Sequence, residues 1–229
     1  MPQFETWASF KAKVERDLDI QGEDFVRPDE LIGYANEAID EAESEILGLN
    51  QDYFLARSTI PLVTGIQSYS LPDNIFAKKI RRIVFNNGSS VYPVKHLKDW
   101  HKFESLALSE QFITADVYRY MLVNTTPGQP EILISPIPSS SATLDIWYTR
   151  QSNKMDGEND TIIDIPECLT FLIQFVKVRV YEKEGHPNFA AAVTVLEQQR
   201  GLMQKKLADS VPDADNEIEA DYTIYSDMN

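Results

Sequence analysis

The 229-residue chain is poor in the residues most chemistry needs. It has one cysteine, Cys168, and three histidines, His96, His101 and His186. One cysteine allows no disulfide within the chain, which suits a reducing compartment. His96 and His101 lie five apart, so a single helix face cannot present both to a metal, and neither has the Glu spacing of a zincin. The nine glycines are scattered and form no phosphate-cradling loop. Bases are also scarce: 21 Lys and Arg stand against 36 Asp and Glu, for a net charge of −15. That balance excludes a dedicated nucleic-acid binder and a surface that seeks anionic lipid. No apolar run is long enough to span a bilayer, since Lys177 and Arg179 interrupt the stretch from Cys168 to Val180. The first ten residues lack the basic and apolar halves of a signal peptide, so a soluble protein made in a cytoplasm is the expectation.

What is present describes a folded protein. A hydrophobic fraction of 43% and an aromatic fraction of 10% can build a core. Trp7, Phe10, Val14 and Leu18 recur at helical steps. Pro28 suits a helix start, with Asp29 and Glu30 at the positive end of its dipole. Leu31, Ala35, Ala38, Ala42, Ile46 and Leu49 then form one stripe, whose alanines admit a close neighbour. From Asp29 to Glu45 there are seven acids and no base. Glu30, Glu37, Asp40 and Glu41 gather on the face away from the stripe. That face is either solvated or selected to repel something negative.

Strand patterns follow. Thr59 to Val63, Lys79 to Phe85, Val91 to Val94, Val117 to Val123, Glu131 to Ile134 and Leu144 to Tyr148 are β-prone, and Gly, Pro and Asn separate them. His96 to Leu108 reads as a short helix carrying Leu97, Trp100, Phe103 and Leu106. Lys78, Lys79, Arg81 and Arg82 are the densest basic cluster, placed to touch phosphate or, better matched to the net charge, acids of a neighbouring subunit. After a polar loop, an apolar helix runs from about Pro166 to Gly185. A second helix follows Pro187, with Phe189, Val193, Leu196, Met203 and Leu207 in a seam and Arg200 on the same line. The fold class is therefore α+β: a bundle of N- and C-terminal helices, a central antiparallel sandwich or barrel, and an extended tail. The boundaries fall at 1–55, 56–150, 151–209 and 210–229.

Lys206 is the last base. Beyond it, acids surround Ile218, Tyr222, Ile224 and Tyr225. A frayed end has little use for such residues, and their spacing suits docking by strand addition or into pockets. The acidic loop Asp156, Glu158, Asp160 and Asp164 departs from a calcium loop in its glycine position and its missing terminal acid. No residue qualifies as catalytic, and no cofactor or metal is expected.

Leu31-Ile32-Gly33-Tyr34-Ala35-Asn36-Glu37-Ala38, then Tyr53-Phe54, then Val63-Thr64-Gly65 leading to Tyr69-Ser70-Leu71-Pro72, together resemble the head-to-tail adaptor proteins of short-tailed bacteriophages, also called tail tubular protein A or head completion protein. The resemblance covers residues 28–75. It implies a ring of twelve copies beneath the portal vertex of the virion, at the head-to-tail junction, assembled from chains made in the host cytoplasm. It implies the portal protein and a tail nozzle or tail fibre protein as partners. The four acids would line a channel through which DNA slides during ejection without specific binding, and the C-terminal segment would climb onto the portal. Two other classes stay open: a virion-borne cell-wall glycan hydrolase using paired carboxylates, and a non-viral cytoplasmic interaction module.

Overall fold

A computed structural model describes residues 5–18, 26–108, 118–126, 129–159 and 161–209. The chain divides into two compact units, residues 1–50 with 154–229, and residues 51–153.

The helical unit contains α1 (Trp7–Leu18), α2 (Pro28–Leu49), α4 (Leu169–Glu184) and α5 (Phe189–Asp209). Its short strands β1 (Glu5–Thr6) and β10 (Ile162–Ile163) pair antiparallel. Pro28 occupies the first turn of α2, and the Glu30 carboxylate accepts the Arg27 backbone N–H at 3.0 Å, a capping contact. Leu31, Ala35, Ala38, Ala42 and Ile46 are all buried, as the stripe predicts. Leu49 is 44% exposed, so the stripe stops one turn early, while Ile39 and Leu47 widen it. α4 has buried residues on several sides, among them Phe171, Leu172, Val176 and Val178. It packs against α1, α2 and α5, while Thr170, Glu182, Lys183 and Glu184 stay exposed. Gly185 ends it in the left-handed conformation (φ 67°), and His186 N–H bonds the Tyr181 carbonyl at 3.0 Å. In α5, Leu196, Met203 and Leu207 are buried, together with Ala192, while Phe189 and Val193 are only half-buried.

The β unit holds two four-stranded sheets. One has the order β2 (Leu55–Leu62), β9 (Ala142–Arg150), β4 (Ile75–Asn86), β5 (Val91–Pro93). The other runs β3 (Ser68–Ser70), β8 (Gln129–Ser135), β7 (Arg119–Thr126), β6 (Lys95–His96). Residues of both sheets meet in one core, including Leu71, Ile83, Ile132, Ile134, Leu144 and Ile146. This is the sandwich form of the α+β expectation. Among the described residues, all pairings are antiparallel except β6 with β7. His96 lies in β6 rather than in a helix. Helix α3 (Trp100–Leu108) begins after Asp99, whose carboxylate accepts the His101 N–H at 3.0 Å, so the cap sets the start.

Strand β4 departs from regular pairing. Its stretch from Ile75 to Ile80 opposes only Arg150 to Tyr148 on β9, and a further shift lies between Ile80 and Arg82. Ala77 (φ 45°) and Lys78 (φ 56°) adopt left-handed backbone there, which costs a non-glycine residue free energy. Ala77→Gly is expected to raise stability by about 1 kcal/mol, because glycine meets no Cβ clash in that conformation. A urea titration measures it, and an unchanged or lower midpoint would refute the strain.

Candidate assembly surfaces

The chemically suggestive groups have structural partners. Cys168 is fully buried, and burial pushes its thiol up to about 12, where no thiolate forms near neutrality. His96 stacks on Tyr120 at 4.8 Å, and burial, with Lys98 nearby, lowers its pKa. His186 stacks on Tyr181 at 4.2 Å. Asp156 accepts the Thr161 hydroxyl at 2.6 Å and the Glu158 N–H at 3.0 Å, and these bonds hold its carboxyl below the usual range. Those contacts tie Asp156 to Glu158 and Thr161. Asp160 lies outside the described residues. Among the described residues, no group of three or more His, Cys, Asp or Glu is arranged to hold a metal. No helix among them is long and apolar enough to cross a membrane.

The outer face of α2 is not bare acid. Glu30 accepts Lys183 at 2.7 Å, and Glu37 accepts Arg179 at 2.6 Å. Asp40 binds Lys154, and Glu41 binds Arg200. Lys183 and the Arg27 N–H together hold the Glu30 carboxyl below the ordinary 4.5. Exposed pairs like these add little net stability, because solvent screens them. What they change is the charge the face presents, since each acid carries a cation of its own chain. The helix alone has no base, so its sequence could not reveal these partners.

Arg200 explains the one charge in the α5 seam. It reaches Glu41 and Glu45, and its guanidinium lies 5.8 Å from the Phe171 ring. Glu41 and Glu45 also line a shallow groove of about 370 Å³ with Ser44, Gly48 and Leu49. A glycosidase acid must be kept protonated by its surroundings. Here the Arg200 guanidinium pairs with both carboxylates.

The residues that carried the family resemblance prove to be structural. Asn36 bonds the Met155 backbone in both directions, at 2.9 and 2.8 Å, and so pins the 154–156 segment to α2. Gly65 takes φ 82°, which its turn requires. The Tyr69 hydroxyl lies 3.0 Å from the Val63 carbonyl and 2.9 Å from that of Ile66, and accepts the Val63 N–H at 3.0 Å. The Val-Thr-Gly and Tyr of that motif are thus one stapled turn. Tyr53 and Phe54 meet edge to face at 4.9 Å. None of these contacts builds a reaction centre.

The comparison with protein families accounts for nearly the whole chain: residues 5–220 match the family model described as SU10 adaptor protein. The chain belongs to the SU10 adaptor protein family. This is a bacteriophage head-to-tail adaptor family, so the protein is a structural component of a virion that works alongside other head and tail proteins. No curated protein matches it.

For an adaptor, surfaces matter more than clefts. The four basic residues of β4 separate into two kinds. Arg81 is held within its unit, 3.0 Å from Asp52 and 3.1 Å from the Gln51 carbonyl, and Lys78 bonds Asn124. Lys79 and Arg82 are exposed and have no carboxylate among the described residues. Lys79 lies 5.3 Å from the Phe76 ring, and Arg82 lies 5.8 Å from Trp147. Trp147 was not singled out by the sequence, which shows it only as one aromatic in a strand. Ile218, Tyr222, Ile224 and Tyr225 lie outside the described residues.

Proposed function

We propose that this SU10 adaptor joins the portal vertex to the tail as a closed ring, twelve copies in number, through which the genome leaves the head. The match of residues 5–220 to the adaptor family carries this reading. Identical subunits close a ring by repeating one heterologous contact, and a chain of net charge −15 offers DNA little to hold. The C-terminal segment docks on the portal protein through Ile218, Tyr222, Ile224 and Tyr225. A tail nozzle or tail fibre protein binds the opposite side.

In this reading Glu30, Glu37, Asp40 and Glu41 face the channel as ion pairs rather than as bare carboxylates. Paired charges repel a phosphate backbone less than free ones and still provide no net cation to bind it. DNA would then slide past a nearly neutral, hydrated wall.

Mass photometry of the purified chain, with and without the portal ring of the same phage, tests the proposal. The expected result is a ring of about twelve copies on each portal particle. A chain that stays monomeric beside its portal at micromolar concentration would refute it.

A further inference from the structure

We infer that the sheet surface carrying Trp147 and Arg82, with exposed Lys79 on the same strand, is where one copy grips the acidic helical unit of the next. The inference rests on the ring reading and names the contact that closes the ring.

The first support is local geometry. Arg57, Trp147 and Arg82 stand opposite one another on β2, β9 and β4, in one row across the sheet. The two guanidinium carbons lie 5.1 and 5.8 Å from the indole ring, on neighbouring strands to either side of it. The row lies in the regular part of the β4–β9 register, and the shift between Ile80 and Arg82 falls just before it. A regular strand would send Arg81 and Arg82 to opposite faces, whereas here both are exposed. Arg57 is anchored by Asp145 at 3.0 Å, and Asp145 also accepts the Thr59 hydroxyl at 2.6 Å. The row is therefore held rigid at one end and carries an unmatched cation at the other. Tryptophan and arginine on a rigid support are the side chains that most often anchor protein contacts.

The second support is the division of charge. Residues 51–153 hold ten Lys and Arg against eight Asp and Glu, leaving 11 against 28 in the rest of the chain. The β unit is slightly basic and the helical unit strongly acidic. Within the helical unit, Lys13, Lys154, Arg179, Lys183 and Arg200 each already hold a carboxylate, so its surplus acids have few bases of their own to meet. In the β unit, Lys79 and Arg82 hold no carboxylate among the described residues, as is also true of Lys95, Lys98 and Arg119. Each copy thus carries a free positive patch on one unit and a negative surplus on the other. That is the arrangement of a head-to-tail contact, which uses two different surfaces and repeats until it closes. Complementary charge would also fix the register of neighbouring copies.

The test pairs Lys79→Glu with Arg82→Glu in the full chain and leaves the Arg57–Asp145 pair intact. Ring assembly on the portal is followed by mass photometry over a concentration series, with thermal unfolding as the control for folding. The expected result is an unchanged melting curve and at least a tenfold rise in the concentration needed for closed rings. If the double variant fails to fold, Lys79→Gln with Arg82→Gln replaces it, with the same expected direction. Carbodiimide cross-linking of rings made from mixed isotopic copies then reads the partner directly. Links from Lys79 to acids of the helical unit of another copy are expected. Rings that close normally in the variant would overturn the inference and leave the ring reading intact. A wild-type chain that never forms rings would overturn both. Normal rings together with a duplex-DNA gel shift lost in the variant would assign the patch to nucleic acid and also overturn the inference.

Discussion

A chain ended at Asp209 is expected to lose attachment to the portal while keeping its melting temperature. The removed segment holds six acids, no Lys or Arg, and Ile218, Tyr222, Ile224 and Tyr225. Like charges along a short segment oppose collapse onto an acidic body, which under the proposed function leaves its apolar and aromatic groups for the portal to bind. Aromatic anchors in pockets each contribute roughly 2 kcal/mol or more, about thirtyfold in affinity, so losing two tyrosines and two isoleucines together should remove detectable binding. The cut position matters. The last base is Lys206, which from sequence alone is the natural place to truncate. The structure continues α5 to Asp209 with Leu207 fully buried, so a cut at Lys206 would take away part of the core. Co-sedimentation with purified portal rings measures attachment, and circular dichroism reports the fold. Full attachment by the chain ended at Asp209 would show that this segment is not the anchor. A milder variant, Tyr222→Ala with Tyr225→Ala, should weaken attachment by at least tenfold.

Phe171→Ala should cost about 3–5 kcal/mol, the range for deleting a buried aromatic ring. Phe171 is 1% exposed on the helix at the centre of the bundle. Its ring lies 6.1 Å from Phe175 and 5.8 Å from the Arg200 guanidinium. The substitution leaves a void in the core and deprives Arg200 of the surface it rests on. For a domain of this size, each kcal/mol lowers the midpoint by about 2–4 °C, so a drop of roughly 10 °C is expected in a thermal scan. Leu202→Ala is the matched control. Leu202 is 53% exposed on α5, so its loss should stay within about 0.5 kcal/mol. A Phe171→Ala midpoint within 2 °C of wild type would contradict the central place of α4.

Much of the architecture was legible because it follows from local rules. Pro28 and Glu30 start α2 by backbone and capping chemistry that acts within a few residues. Gly185 stops α4 because glycine alone enters the left-handed region cheaply. The buried run Leu31, Ala35, Ala38, Ala42 and Ile46 follows from helix periodicity. The end of that stripe was not legible, because whether Leu49 finds cover depends on neighbours that are distant in the chain. The helix start at Trp100 rather than His96 is a smaller case: periodicity marks the apolar face, whereas Asp99 sets the boundary.

The sequence by itself determined the class of protein: the α+β order, the surplus of acid, the poverty of catalytic groups and the motif of the phage adaptor family. These are sums and short-range patterns, and they survive any arrangement of the chain. Tertiary structure decided what the charges do. Glu30 meets Lys183, Glu37 meets Arg179 and Asp40 meets Lys154 across separations of 153, 142 and 114 residues, which no local pattern encodes. The same holds for the row of Arg57, Trp147 and Arg82, which exists only because β9 lies between β2 and β4. Strand order and the irregularity in β4 are outcomes of packing, since a pairing partner is selected by burial of the whole sheet face and not by the strand's own residues. The sequence therefore counted the charges, and the fold settled which of them remain unpaired on a surface.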